Sequence, residues 1–166
     1  MNRKLVLIAH NLRSSHNVGA LLRTADGLGI QKVYFTGYTP YPAMQSDTRL
    51  PHLAQKTSNQ IHKTALGAET SVNWTQQTDI KTAIDELKQI GYTIAALEQS
   101  PKAQTLTSYK GPKQVALIVG REVEGLETEV LNLADVILEI PMLGQKESFN
   151  VALAAAMALY HMRFVI

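Results

Sequence analysis

A chain of 166 residues is long enough for one domain with a substantial core, and its 45% hydrophobic and 18% charged residues describe a soluble globular protein rather than a disordered one. A net charge of +2 permits an anionic partner without requiring one, and the absence of cysteine excludes disulfides, thiolate catalysis and cysteine-ligated zinc. The first apolar run, Leu5 to Ala9, is too short for a signal peptide, so the expected compartment is the cytoplasm.

Lys4 to Ala9 reads as a strand buried on both faces, the continuous aliphatic run of a parallel sheet. His10 to Asn17 is polar loop. Val18, Leu21, Leu22, Ala25 and Leu28 then repeat at helical spacing, with Asn17 as the expected N-cap and Gly29 as the stop. Lys32 to Thr36 is a second strand. Residues 37–56 hold three prolines and read as one long irregular segment of the kind that often carries function. Ile61 to Leu66 reads as a short helical turn and Ser71 to Trp74 as a weak strand.

Asp79 caps an amphipathic helix from Ile80 to Ile90, with Ile80, Ala83, Ile84, Leu87 and Ile90 inward and Gly91 ending it. Tyr92 to Leu97 is a strand, Glu98 to Lys113 a loop, and Gln114 to Val119 a further strand. A glycine-bounded turn, Gly120 to Gly125, leads into a short helix ending near Ala134. Val136 to Ile140 is the last strand, ended by Pro141, which has no N–H for the ladder. Gly144 permits a tight turn and Ser148 is the expected cap of the final helix. From Val151 to Tyr160 that helix is apolar on every side and too short for a bilayer, which needs about 20 residues. Its expected covers are the chain's own sheet and a second copy of the chain. Strands alternating with helices predict one α/β domain, residues 1–166, with a mostly parallel sheet and flanking helices.

In such sheets ligands sit outside the carboxyl ends of the strands, and three of those ends are unusually polar or glycine-marked: 10–23, 120–125 and 140–150. Dinucleotide, P-loop and nucleophile-elbow signatures are all missing, and no histidine pair has metal-ligand spacing. Taken singly, the candidates have ordinary explanations. Arg23 reads as a solvated helix residue or an ion-pair partner, Asn17 and Ser148 as caps, Glu122 as a surface carboxylate, Asn150 as a solvated residue of the first helical turn, and His10 and His16 as loop histidines.

Three segments together resemble one family. Asn11 to Asp26 (NLRSSHNVGALLRTAD), Ala116 to Leu126 (ALIVGREVEGL) and Ile140 to Ala156 (IPMLGQKESFNVALAAA) look like the three ordered motifs of the SpoU (TrmH-like) RNA ribose methyltransferases. His62 to Glu69 is similar to a connecting segment common in that family. The resemblance implies the SPOUT fold with a deep trefoil knot near the C-terminus, a homodimer, and S-adenosylmethionine as cofactor with no metal. It implies cofactor contacts from Leu97, Gly120, Ile140, Met142 and Phe149, the last standing where the family usually has leucine. It also implies catalytic positions at Asn17, Arg23, Glu122, Ser148 and Asn150, acting in methyl transfer to a ribose 2′-hydroxyl of RNA. A guanidinium stays protonated at ordinary pH, so Arg23 is expected to clamp phosphate and stabilise an alkoxide rather than act as a base. No additional RNA-binding domain is expected in this stretch, a minimal form that favours tRNA somewhat over rRNA as substrate. The alternatives are a SPOUT enzyme methylating a base and a non-catalytic module that binds cofactor or RNA. Arg3, Lys4, Arg13, Lys32, Arg49, Lys56 and Lys63 are candidates for a basic RNA-facing surface.

Overall fold

Seven strands form one sheet in which every pairing is parallel, in a computed structural model that describes residues 3–166. In chain order they are β1 (Lys4–His10), β2 (Lys32–Thr36), β3 (Trp74–Gln77), β4 (Thr93–Leu97), β5 (Gln104–Thr105), β6 (Gln114–Val119) and β7 (Val136–Glu139). Across the sheet the order is β3-β2-β1-β6-β4-β7-β5. Alternate residues of each strand face opposite layers. Leu5, Leu7 and Ala9 point to one core with Leu117 and Phe35, while Val6 and Ile8 point to the other with Ile94 and Ile118. Both faces are buried, which explains the continuous aliphatic runs of β1 and β6.

The first core is covered by α1 (Ser15–Gly27), α2 (Pro51–Ala65), the single turn α3 (Ala68–Ser71) and α6 (Val151–Tyr160). The second is covered by α4 (Ile80–Gln89) and α5 (Thr128–Leu133). The expected mostly parallel α/β architecture with flanking helices is therefore what the chain adopts. Among the described residues, no helix is long and apolar enough to cross a membrane.

Several local expectations are corrected. Helix α1 begins three residues early, because Ser14 rather than Asn17 is its N-cap, its side chain accepting the Asn17 N–H. That leaves the Asn17 amide free to act elsewhere. The supposed long irregular segment ends at Leu50, since α2 absorbs 51–56 and the predicted turn at 61–66. Pro51 lies in the first turn of α2, where a missing N–H costs nothing, so the third proline starts a helix instead of breaking one. The weak strand falls at Trp74–Gln77, after α3. The loop after β4 contains the two-residue β5 and a 3-10 turn at Leu106–Ser108. Ile90, expected inward, is exposed, because α4 ends at Gln89 and the chain turns at Gly91. Asn150, not Ser148, caps α6, accepting the N–H groups of Ala152 and Leu153.

Two helices meet unusually closely at Gly19. A Cβ there would collide with Thr64 Oγ1 and the Ile61 carbonyl of α2, and Thr64 Oγ1 donates to the His16 carbonyl at 2.8 Å. On an open helix, replacing glycine by alanine gains roughly 0.5–1 kcal/mol. Here the sign reverses: Gly19→Ala is expected to cost about 1–3 kcal/mol by overpacking. Thermal unfolding checks this, at about 2–4 °C of Tm per kcal/mol for a chain of this size; an unchanged or raised Tm would show that α1 and α2 separate freely.

Candidate active site

Three neighbouring strands, β6, β4 and β7, end on the same side of the sheet, and the segments leaving them enclose a cleft. Its walls come from Leu97 to Gln99 after β4, Val119 to Gly125 after β6, and Glu139 to Ile140 after β7, with Ser148, Phe149 and the first turns of α6 closing the fourth side. The space between them, counted to its open mouth, is about 720 Å³. About 150 Å³ of it is cavity proper, below the roughly 300–1,000 Å³ of typical small-molecule sites, so the cleft is open and shallow.

Glycine is required at the floor. A Cβ on Gly120 would stand 2.7 Å from the Leu126 side chain, so a larger residue would push the turn off β6. The turn itself is closed by a bridge between Arg121 and Gly125. Glu98 holds it from the β4 side, its carboxylate accepting the Leu126 N–H at 2.8 Å and the Gln99 N–H at 2.9 Å. Gln99 in turn donates its amide to the Glu147 carbonyl at 2.6 Å, tying the 140–150 segment to the end of β4.

The polar centre is Glu122. Its Oε1 accepts the Asn17 amide at 2.9 Å and the Ser14 N–H at 3.3 Å, and its Oε2 accepts the Arg13 N–H at 3.3 Å. Asn17 passes the connection on, since its Oδ1 accepts the Asn150 amide at 3.1 Å. Burial pushes the Glu122 carboxyl up, but the hydrogen bonds from Asn17 and the backbone outweigh it and leave the group below its ordinary value.

A second cluster backs the same turn. His10, buried at the end of β1, places Nδ1 2.8 Å from Thr36 Oγ1 and Nε2 3.4 Å from Glu127 Oε2. Glu127 Oε1 also accepts from Asn11 at 3.0 Å and pairs with Arg121 at 3.3 Å. Burial pushes the His10 imidazole below its ordinary value. These groups anchor the 121–127 segment to the ends of β1 and β2.

Of the residues expected at the cofactor, Leu97, Gly120, Ile140 and Phe149 line the cleft; Met142 lies outside it. Glu122 and Ser148 line it too, and Asn17 and Asn150 join it through the hydrogen bonds above. Arg23 does not. It is exposed, about 9 Å farther along α1 than Asn17 at 1.5 Å per residue, and borders a different hollow with Asp26, Gly67 and Ser71. Sequence reasoning missed Glu98, Gln99 and Glu139, which lie outside the motifs' polar positions. The available signal was position: Glu98 and Gln99 directly follow a buried strand, and Glu139 is the last residue of one.

A carboxyl whose folded value is depressed contributes stability above its unfolded value, about 4.3, and loses it as pH falls through the folded value. Glu122→Gln is therefore expected to be less stable than wild type at pH 7, with the gap closing as pH falls below about 4.3. Urea unfolding at a series of pH values reads this, and a gap independent of pH would mean the charge of Glu122 is not what binds the head of α1.

Residues 4–160 match the sequence profile of the SpoU rRNA Methylase family. A tRNA (guanosine(18)-2′-O)-methyltransferase of Borreliella burgdorferi is 29% identical over 156 residues, covering 94% of this chain and 64% of that protein. A solved structure described as an RNA 2′-O ribose methyltransferase is 28% identical, with a TM-score of 0.77 over 98% of this chain and 56% of its own. An AdoMet-bound rRNA methyltransferase from Sinorhizobium meliloti shares the fold at 20% identity, with a TM-score of 0.81, covering 100% of this chain and 58% of that one. The chain thus spans less than two thirds of each of these relatives. With the profile matched from β1 to the end of α6, and its three motif segments meeting at one cleft, the chain belongs to the SpoU rRNA methylase family.

Proposed function

We propose that this chain is an S-adenosylmethionine-dependent RNA methyltransferase acting on a ribose 2′-hydroxyl, with tRNA favoured over rRNA. The observation that carries the reading is the convergence of all three motif segments on the cleft, through Glu122, Asn17 and Asn150. The residues present suit the cofactor. Leu97, Ile140 and Phe149 supply apolar wall, and Glu98, Glu122 and Glu139 supply negative charge for a ligand that carries a sulfonium and an ammonium. Phe149 in place of leucine keeps an apolar cover. When bound, S-adenosylmethionine supplies an already activated methyl group, so the protein's task is to orient and stabilise the attacking oxygen.

Asn17, Asn150 and Ser148 stand at the cleft edge as the neutral polar groups that position the ribose, and Glu122 fixes Asn17. Arg23 is assigned to gripping phosphate and stabilising the alkoxide while the hydroxyl proton leaves to water. This assignment rests on its motif position; within one chain the exposed guanidinium stands outside the cleft, so the role requires the bound RNA or the second copy of a homodimer to bring the two together. The exposed Leu153, Met157 and Tyr160 of α6, with Phe164 in the π-helical turn that follows (His161–Val165), support a homodimer, since one side of α6 is covered by the chain's own core and the other side is bare. The threading of residues 140–166 into a knot and a cytoplasmic location belong to the same reading. The insertion of β7 between β4 and β5, with α6 returning to α1, supports the knot.

Labelled cofactor incubated with the protein and total RNA, followed by nucleoside analysis, tests the function. A 2′-O-methyl nucleoside is expected. A methylated base would transfer the assignment to a base-modifying enzyme, and cofactor binding without transfer to a non-catalytic module. Arg23→Ala is expected to lower methylation roughly 10²–10³-fold with cofactor affinity retained, the usual cost of losing one transition-state donor; near wild-type transfer would remove Arg23 from the chemistry. For the dimer, Leu153→Glu combined with Met157→Glu is expected to yield monomers in sedimentation, whereas a monomeric wild type would leave the bare face of α6 for some other partner.

A further inference from the structure

Seven cations were candidates for an RNA-facing surface, and their surroundings separate them. Arg49 is held by Asp47 and lies over the Tyr41 ring at 3.7 Å, so it shapes the 41–49 loop. Arg13 pairs with Glu124 at 2.8 Å. Arg3 donates to the Gly111 and Pro112 carbonyls, and Lys32 lies over the Tyr34 ring at 4.4 Å. Arg3, Lys4 and Lys32 also stand at the amino ends of the strands, the side away from the cleft. Lys56 and Lys63 differ on every count. Both are exposed on α2, and among the described residues neither takes part in an ion pair.

The helix that carries them has no acidic residue in its 15 positions. Its buried residues, Ala54, Ile61 and Ala65, define the inner face. At 100° per residue, His52, Lys56, Asn59 and Lys63 fall directly opposite. With Gln55 and Gln60 they line a shallow hollow on the outer face, in which every lining side chain carries N–H donors and none a carboxylate. An ordinary solvated helix mixes both charges and builds i,i+4 ion pairs; this one has none on that face. Its C-terminal turn is docked on the head of α1 through Thr64 and His16, one residue before Asn17.

We propose that the outer face of α2 grips the phosphate backbone of the RNA substrate through Lys56 and Lys63, about 10.5 Å apart along the helix, and that α1 connects this grip to the cleft. The inference rests on the RNA-methylating reading above and extends it by locating a binding surface outside the three motifs. The hollow's amides add neutral donors for phosphate and ribose oxygens. Base edges are not needed, so the contact is indifferent to sequence and leaves selectivity to the cleft.

The test is Lys56→Glu/Lys63→Glu against wild type and against Lys81→Glu, a charge change on α4 across the sheet. Binding to total tRNA is measured from 50 to 300 mM salt, alongside cofactor binding. The expected result is at least roughly tenfold weaker RNA binding at low salt, with the slope of log affinity against log salt shallower by about 1.5–2. Cofactor affinity and the rate at saturating RNA are expected to stay at wild-type values, and Lys81→Glu to behave as wild type. Wild-type affinity and slope in the double variant overturn the inference while leaving the methyltransferase assignment intact, and would point to an acidic protein as the partner of α2. Weakening by Lys81→Glu of half the double variant's logarithmic loss or more also overturns it, since that control carries half the charge change and net charge alone would then explain the loss. A wild-type protein that binds no RNA at any salt defeats both readings together, so the two failures are distinguishable.

Discussion

One carboxylate joins the three segments that meet at the cleft. Glu122 stands on a turn leaving β6, yet its three hydrogen bonds all go to the start of α1, more than a hundred residues earlier in the chain. Asn17 relays that hold to Asn150, the cap of α6. Remove the carboxylate and the N–H groups of Arg13 and Ser14 lose their acceptor, the Asn17 amide loses its orientation, and the first turn of α6 loses its link to α1. Partly buried hydrogen-bond networks have this all-or-none character because each unsatisfied member carries its own desolvation cost.

The sheet makes this joint possible. Parallel strands all deliver their following loops to the same edge, so β4, β6 and β7, scattered in sequence, place Leu97, Gly120 and Ile140 side by side. Helices on both faces keep the sheet dry, and the close approach at Gly19 locks α2 onto α1. The head of α1 therefore serves three neighbours at once: the cleft through Asn17, the sheet through Val18 and Leu22, and α2 through His16 and Gly19. Mutations at this helix's first two turns are expected to be felt in stability and in the cleft together.

Acidic lining is the cleft's other consistent feature. Glu98 and Glu122 both have structural duties, bracing the Gly120–Leu126 turn, and both face the space where a positively charged ligand is proposed. Charges that are already hydrogen-bonded do not reorganise when a ligand arrives, which makes them effective partners for a fixed cation. Arg121, from the same turn, also lines the cleft, but its guanidinium pairs with Glu127 at 3.3 Å, which offsets its charge there.

Element type was legible along most of the chain because period-2 and period-3.6 patterns are local: β1, β2, β6 and α4 lie close to where their apolar residues put them. The motif resemblance identified the family and picked out Leu97, Gly120, Glu122, Ile140, Ser148 and Phe149, which the fold then gathered into one cleft. What failed had physical reasons. Pro51 falls within the stretch whose three prolines predict irregular structure, although the first turn of a helix accepts proline, and at the starts of α1 and α6 two polar residues compete for the cap. Composition and periodicity by themselves determined an α/β domain with a parallel sheet and an apolar last helix, because burial leaves its mark residue by residue. Only the tertiary structure decided that Asn17 orients on Glu122, that Arg23 and Met142 stand outside the cleft, and which lysines are unengaged, because those outcomes depend on contacts between residues far apart in the chain.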